Sequence, residues 1–229
     1  MSAIITAVWA GFSELAVAES PVVVELYTSQ GCSSCPPADK LLGEIAQRDD
    51  VIALALHVDY WDYIGWKDEF ADPAHTVRQR GYSHAAGKRT IYTPQMVIGG
   101  RDHVVGSRPM KVFELLEDHW KTPYAADVRL ERNGNRVTVR ISAESGMPSG
   151  GALVQLATFR EKETVDIRRG ENRGRTLTYH NVVGQMIEIG EWNGRGTYRA
   201  SIQVPATTPI AVLVQQPNYG PMLGAAQLK

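Results

Sequence analysis

Cysteine is nearly absent from this chain: Cys32 and Cys35 are the only two among 229 residues. A Cys₄ zinc site is therefore excluded, and with Pro36 rather than histidine after the second cysteine, so is c-type haem attachment. Basic excess is lacking too. A formal charge of -1 gives neither the electrostatic footprint of a nucleic-acid binder nor the acidic bias of a solvating tail, so nucleic acid is not an expected partner. No run reaches the ~18 consecutive apolar residues of a spanning helix, so no membrane span is expected. Lysine and arginine are missing before Lys40. The apolar stretch Ala3–Phe12 and the small-x-small Ala16-Val17-Ala18 match the later parts of a secretory signal without its positive start, so residues 1–20 read as a signal remnant or as an N-terminal extension. The export reading makes the protein periplasmic or secreted, although one C-x-x-C suits the cytosol equally well.

What is present begins with an apolar, β-branched run, Val22-Val23-Val24-Glu25-Leu26-Tyr27, followed by Cys32-Ser33-Ser34-Cys35 and then by Pro36-Pro37-Ala38-Asp39-Lys40-Leu41-Leu42. The run reads as a buried strand and the proline-led segment as a helix opening, so the cysteines fall at a strand-to-helix turn. Alternation continues with strand 51–58, a helix near 73–86, strands 95–98 and 102–106 joined at Gly99-Gly100-Arg101, and a helix over 109–120. Asp72-Pro73 and Ser107-Arg108-Pro109 supply the helix-start signals. The result is a β-α-β-α-β-β-α order for residues 21–123. After Lys121-Thr122-Pro123 the pattern becomes short alternating segments, with a hairpin at Asn133-Gly134-Asn135 and strands expected at 152–159, 163–168, 175–182, 185–191, 197–204 and 210–216. Residues 124–229 therefore read as an all-β, sandwich-like domain.

A thiolate at a helix N-terminus faces unsatisfied backbone N–H groups and the positive end of the helix dipole. Cys32 is thus the expected nucleophile and Cys35, one turn along, the resolving thiol, exchanging through a mixed disulfide on Cys32. Ser33 and Ser34 add hydroxyls at the helix N-terminus but no charge. Two other readings of the pair stay open: a structural disulfide in a binding module, and a mixed Cys/His metal site of copper-delivery type using Cys32, Cys35 and His57 or His103. No resident cofactor is expected. Thr93-Pro94 stands directly ahead of strand 95–98, where a proline belongs at the first strand position or in a cis peptide bond.

The cysteine pair after the first strand, Thr-Pro before the third, the glycine hairpin and the final helix together resemble the thioredoxin superfamily. The segments Glu25–Asp39, His57–Trp66, Tyr92–Gln95 and Gly170–Leu177 resemble more closely a set of uncharacterised, secreted, thioredoxin-like bacterial proteins. The resemblance implies a mixed sheet with helices on both faces, a cis-proline beside the cysteines, and Thr93 and Pro94 as substrate-binding partners of Cys32. It also implies thiol-disulfide oxidoreductase activity on a protein or small-molecule thiol, with a separate redox partner. The family's buried acid falls six residues before the first cysteine, where this chain has Leu26; Glu25, seven before, regains the position if the Thr28–Gly31 loop carries one extra residue. Glu25 is then a candidate general base, or else faces a solvated edge.

His57 to Trp66 follows the second strand at its carboxyl end, where open α/β sheets bind ligands. Tyr60, Trp61, Tyr63 and Trp66 form either a peptide-binding wall near Cys32 or an inserted loop packed on the core, and His57 either tunes the thiols or is a hydrogen-bonded core histidine. Arg168, Arg169, Arg173 and Arg175 around Gly170-Glu171-Asn172 mark a solvated hairpin end, or a loop that crosses to the cysteine edge.

Overall fold

The computed structural model describes residues 20–143 and 147–229; the signal-like stretch 3–18 lies outside the described residues. β1 (Val22–Thr28) is buried at every position, so it needs partners on both edges and cover on both faces. It pairs in parallel with β2 (Val51–His57) and antiparallel with β3 (Gln95–Ile98), which turns through Gly99 and Gly100 into β4 (Asp102–Val105). Both glycines have φ values, 59° and 69°, that favour a residue without Cβ.

Three helices, each opened by proline, cover this part of the sheet: α1 (Pro36–Ile45), α2 (Pro73–Ala85) and α3 (Pro109–Trp120). Leu41, Leu42 and Ile45 of α1 and Val112 and Leu116 of α3 pack on Val22, Val24 and Leu26. The alternate positions of β1, Val23 and Tyr27, point to the opposite face, where Tyr82 of α2 meets them.

The second half does not keep its strands to itself. β5 (Asp127–Asn133), β6 (Arg136–Ser142) and β9 (Tyr198–Gln203) form an antiparallel sheet in the order β5-β6-β9. β7 (Ala152–Asp166), β8 (Thr176–Trp192), β10 (Ile210–Gln215) and β11 (Met222–Leu228) extend the first sheet into a mixed eight-stranded one, ordered β11-β10-β7-β8-β2-β1-β3-β4. The two sheets face each other across Val137, Val139, Ile141, Val154, Leu156, Val212 and Val214. The β-rich segment thus packs in two layers as expected, but its larger layer is shared rather than self-contained. The reason is the open edge of β2, whose unpaired backbone groups need a partner. β8 supplies it in parallel at Ala55↔Val182, reinforced where Asn181 Nδ2 donates to the Ala53 carbonyl at 2.8 Å.

The expected breaks near 160 and 183 are absent. Register shifts at Val154/Gln155 and Thr158/Phe159 let β7 and β8 run past these positions as long strands. β11 is not among the strands expected from the sequence, because its Gly224-Ala225-Ala226 carries little strand propensity.

Candidate functional site

Cys32 and Cys35 are joined by a disulfide at the head of α1. Cys35 caps the helix, its carbonyl accepting from the Ala38 and Asp39 N–H groups at 2.8 and 3.1 Å. Ser33 and Ser34 are exposed, and Ser34 Oγ lies 3.4 Å from Cys32 Sγ. The cysteines themselves are covered: Cys32 is 2% and Cys35 0% exposed. A redox pair reached by a large partner needs at least one accessible sulfur, so what covers Cys32 matters.

Part of the cover is the end of the β7–β8 hairpin, residues 167–175. Asn172, buried, donates through Nδ2 to the carbonyls of Gln30 and Cys32, both at 2.9 Å. Glu171 Oε2 accepts from the Ser33 N–H at 3.3 Å. Arg175 Nη1 holds Asn172 Oδ1 from within the hairpin at 3.1 Å. Both readings of this arginine-rich stretch therefore describe part of it: the four arginines are exposed, and the loop between them crosses onto the cysteine turn.

The aromatic segment flanks the same turn. Trp61 Cβ and Ile64 Cδ1 approach Gly31 so closely that a Cβ there would stand 3.4 and 3.2 Å from them. Trp66 Nε1 donates to Gln30 Oε1 at 2.7 Å, and Trp61 Nε1 to Thr93 Oγ1 at 2.7 Å. Tyr60 instead turns to Gln79, and Tyr63 is exposed with its ring stacked on Trp61. The Thr93-Pro94 bond is cis, and the Tyr27↔Gln95 register puts Pro94 level with Thr28, where the chain leaves β1 for the cysteines.

The buried acids Glu25 and Asp39 lie on opposite faces of the sheet. Glu25 is fully buried, so it does not face a solvated edge, but it points away from α1 and is held by Arg78 Nε at 2.8 Å. Arg78 also donates to Tyr82, Gln155 and Gln215, tying β1 and α2 to β7 and β10. Asp39, which carries no role in the sequence reading, is on α1 four residues beyond Cys35 and so on the same helix face. Thr28 Oγ1 donates to its Oδ1 at 2.7 Å while Oδ2 is buried without a partner. Burial, opposed by His57 and the Thr28 hydrogen bond, pushes its pKa from 3.8 up to about 7.

His57 is a buried, hydrogen-bonded core residue. Its Nδ1 donates to Asp68 Oδ2 at 2.7 Å, and the same oxygen accepts from the Gln30 N–H at 2.8 Å. Its ring packs edge-on against Tyr179 of β8 at 4.8 Å. His57 Nε2 and Tyr179 Oη, like Asp39 Oδ2, are buried with no partner. Among the described residues no three His, Cys, Asp or Glu side chains converge as a metal site. No described helix is long and apolar enough to cross a membrane.

A family model described as "Protein of unknown function (DUF1223)" matches residues 23–215, a span that includes the cysteines, the cis-proline, the aromatic segment and the hairpin end. The chain belongs to this family. That description names no reaction, and no curated protein matches the chain. A crystal structure of a protein from Agrobacterium tumefaciens, 34% identical, superposes with a TM-score of 0.77 over 92% of this chain and 95% of its own. HBP35 of Porphyromonas gingivalis, at 13% identity and a TM-score of 0.64 over 92% of this chain and 75% of its own, shares the fold.

An aspartate with a raised pKa makes a testable contribution to stability. Between about pH 4 and pH 7 the folded chain holds a proton on Asp39 that the unfolded chain has released, so stability falls as pH rises through that window. Asp39→Asn, which keeps an acceptor for Thr28, should remove this fall. Denaturation at pH 8.5 should find the variant more stable by up to about 4 kcal/mol, with the difference closing near pH 4; parallel curves for the two proteins would refute the assignment.

Proposed function

We propose that this protein is a thiol-disulfide oxidoreductase with a thioredoxin-like unit in residues 21–123 and a β-rich unit in 124–229. The observation that carries the reading is the disulfide at the head of α1, which follows the end of β1 that lies level with the cis Thr93-Pro94 bond entering β3. The β2-β1-β3-β4 order, with α1 and α3 on one face and α2 on the other, supports the fold assignment. An incoming thiolate attacks Cys32 Sγ, the Cys32–Cys35 bond breaks, and the electron pair leaves on Cys35, which takes a proton from Asp39. The partner's second thiolate then attacks its own sulfur in the mixed disulfide, the bond to Cys32 breaks with Cys32 leaving as a thiolate, and the partner dithiol is oxidised as the Cys32–Cys35 pair is reduced. Asp39 exchanges that proton with solvent through the groove of about 360 Å³ between α1 and β8, bordered by Thr176, Thr178 and His180. In this reading Asp39 takes the acid role that resemblance gave to Glu25, whose carboxylate is committed to Arg78. Thr93, Pro94, Trp61 and Trp66 line the approach for a protein or small thiol, and the working compartment is the periplasm or exterior, where a disulfide persists.

Access to Cys32 then requires the hairpin end to lift. Asn172→Ala removes two hydrogen bonds to buried carbonyls, each worth about 1 kcal/mol net, so reduction by a small phosphine should quicken roughly tenfold or more. An unchanged rate would mean that the hairpin does not gate the sulfurs.

One observation favours a second reading, a structural clip in a binding module: both sulfurs are almost wholly covered. Equilibration with glutathione buffers separates the two. An oxidoreductase should titrate between about -120 and -270 mV, whereas a potential below about -300 mV would identify a clip.

A further inference from the structure

The three-stranded sheet turns Val137, Val139 and Ile141 inward and leaves the alternate positions of its strands exposed. On that outer face Arg129 of β5 stands opposite Arg140 of β6, and Arg140 opposite Arg199 of β9. Like charges directly opposite one another weaken a sheet, so this row of three guanidinium groups works against the fold that presents it. Arg129 turns to Asp127 at 2.7 Å; among the described residues no carboxylate lies within ion-pair distance of Arg140 or Arg199. Arg129 and Arg140 line a depression of about 490 Å³ that also holds Leu130 and the hydroxyls of Thr138, Ser142 and Thr197, with Glu131 as its acid. Arg199 lines a neighbouring depression of about 820 Å³ that shares Thr197 with the first, where Arg195 adds a further positive charge and Glu191 a negative one.

We propose that this face binds a soluble ligand carrying two or more phosphate groups in series, an oligophosphate. A guanidinium fork matches a phosphate through paired N–H donors, and uncharged hydroxyls serve the remaining oxygens. Facing cross-strand residues stand about 5 Å apart, so the row grips successive anionic groups along a chain, which a single phosphate or carboxylate cannot span. Its exposed positions, Arg129, Glu131, Arg140, Arg199 and Ser201, offer nothing apolar to insert into a bilayer, which argues against a lipid headgroup as the source. This site stands apart from the cysteine chemistry and does not depend on it.

Calorimetric titration of the full chain with tripolyphosphate, orthophosphate, and sodium chloride at matched ionic strength tests the assignment. Tripolyphosphate should bind saturably and at least tenfold more tightly than orthophosphate, and chloride should not compete as a stoichiometric ligand. Arg140→Ser/Arg199→Ser should weaken tripolyphosphate binding at least thirtyfold and, by removing the repulsion, raise the unfolding midpoint in phosphate-free buffer. Arg140→Lys/Arg199→Lys, which keeps the charge and loses the forks, should fall between the two and covers the case in which the serine variant fails to fold. Arg136→Ser, on the same strand outside the row, should stay within twofold of the parent. Equal binding of tripolyphosphate and orthophosphate, undiminished affinity in the lysine variant, equal losses in Arg136→Ser, or binding to anionic vesicles without binding to free tripolyphosphate would each overturn the proposal.

Discussion

Arg78→Met should destabilise the protein by about 3–5 kcal/mol, lowering the thermal midpoint by roughly 10 °C for a chain of this size. The guanidinium is 7% exposed and its partner Glu25 1% by side chain, so the substitution leaves a carboxylate buried without a counter-charge. It also strips donors from Tyr82, Gln155 and Gln215, three side chains on three different elements. Adding Glu25→Gln should recover more than half of the loss, because an amide costs far less to bury than an unpaired carboxylate. Urea denaturation of the two single variants and the double variant provides the measurement. A loss below about 1 kcal/mol in Arg78→Met would place the pair among surface ion pairs in its energetic effect.

The second large effect is chemical. Cys35→Ser should accumulate a mixed disulfide on Cys32 when the protein is mixed with an oxidised dithiol substrate, since nothing remains to resolve it. Cys32→Ser should trap no partner and reduce exchange to that of buffer alone. Non-reducing gels and mass spectrometry of the trapped species distinguish the two. Adducts on both variants in equal amount would show that either sulfur can be attacked, and adducts on neither would favour the clip.

The roles of the two cysteines are legible in the sequence because they follow a β-branched strand and precede a proline-opened helix, a local pattern that survives any tertiary arrangement. Thr93-Pro94 was legible for the same reason. Asn172 and Glu171 were harder: their segment reads as a charged turn, and only contact with Ser33 and Cys32, some 140 residues earlier, reveals what they do. Asp39 left one usable signal, an acid four residues from Cys35 on the face that also buries Leu42. Glu25 could be read as buried, but its partner could not, because Arg78 lies 53 residues away on a helix whose packing depends on the completed sheet. The shared sheet was illegible because apolar strands announce burial without naming a neighbour, and β8 finds β2 across more than 120 residues.

That separation sets an order of events during synthesis. Residues 21–123 leave the ribosome or translocon well before the β7–β8 hairpin exists, and long-range strand pairing is slow to close. For that interval the nascent chain presents Cys32 and Cys35 without Asn172 and Glu171 above them and β2 without β8 at its edge. The arriving hairpin then sets Asn172 and Glu171 over the cysteine turn. Pulse-labelling of stalled chains with a thiol reagent should show the pair becoming inaccessible only once residue 175 and the strand behind it have emerged.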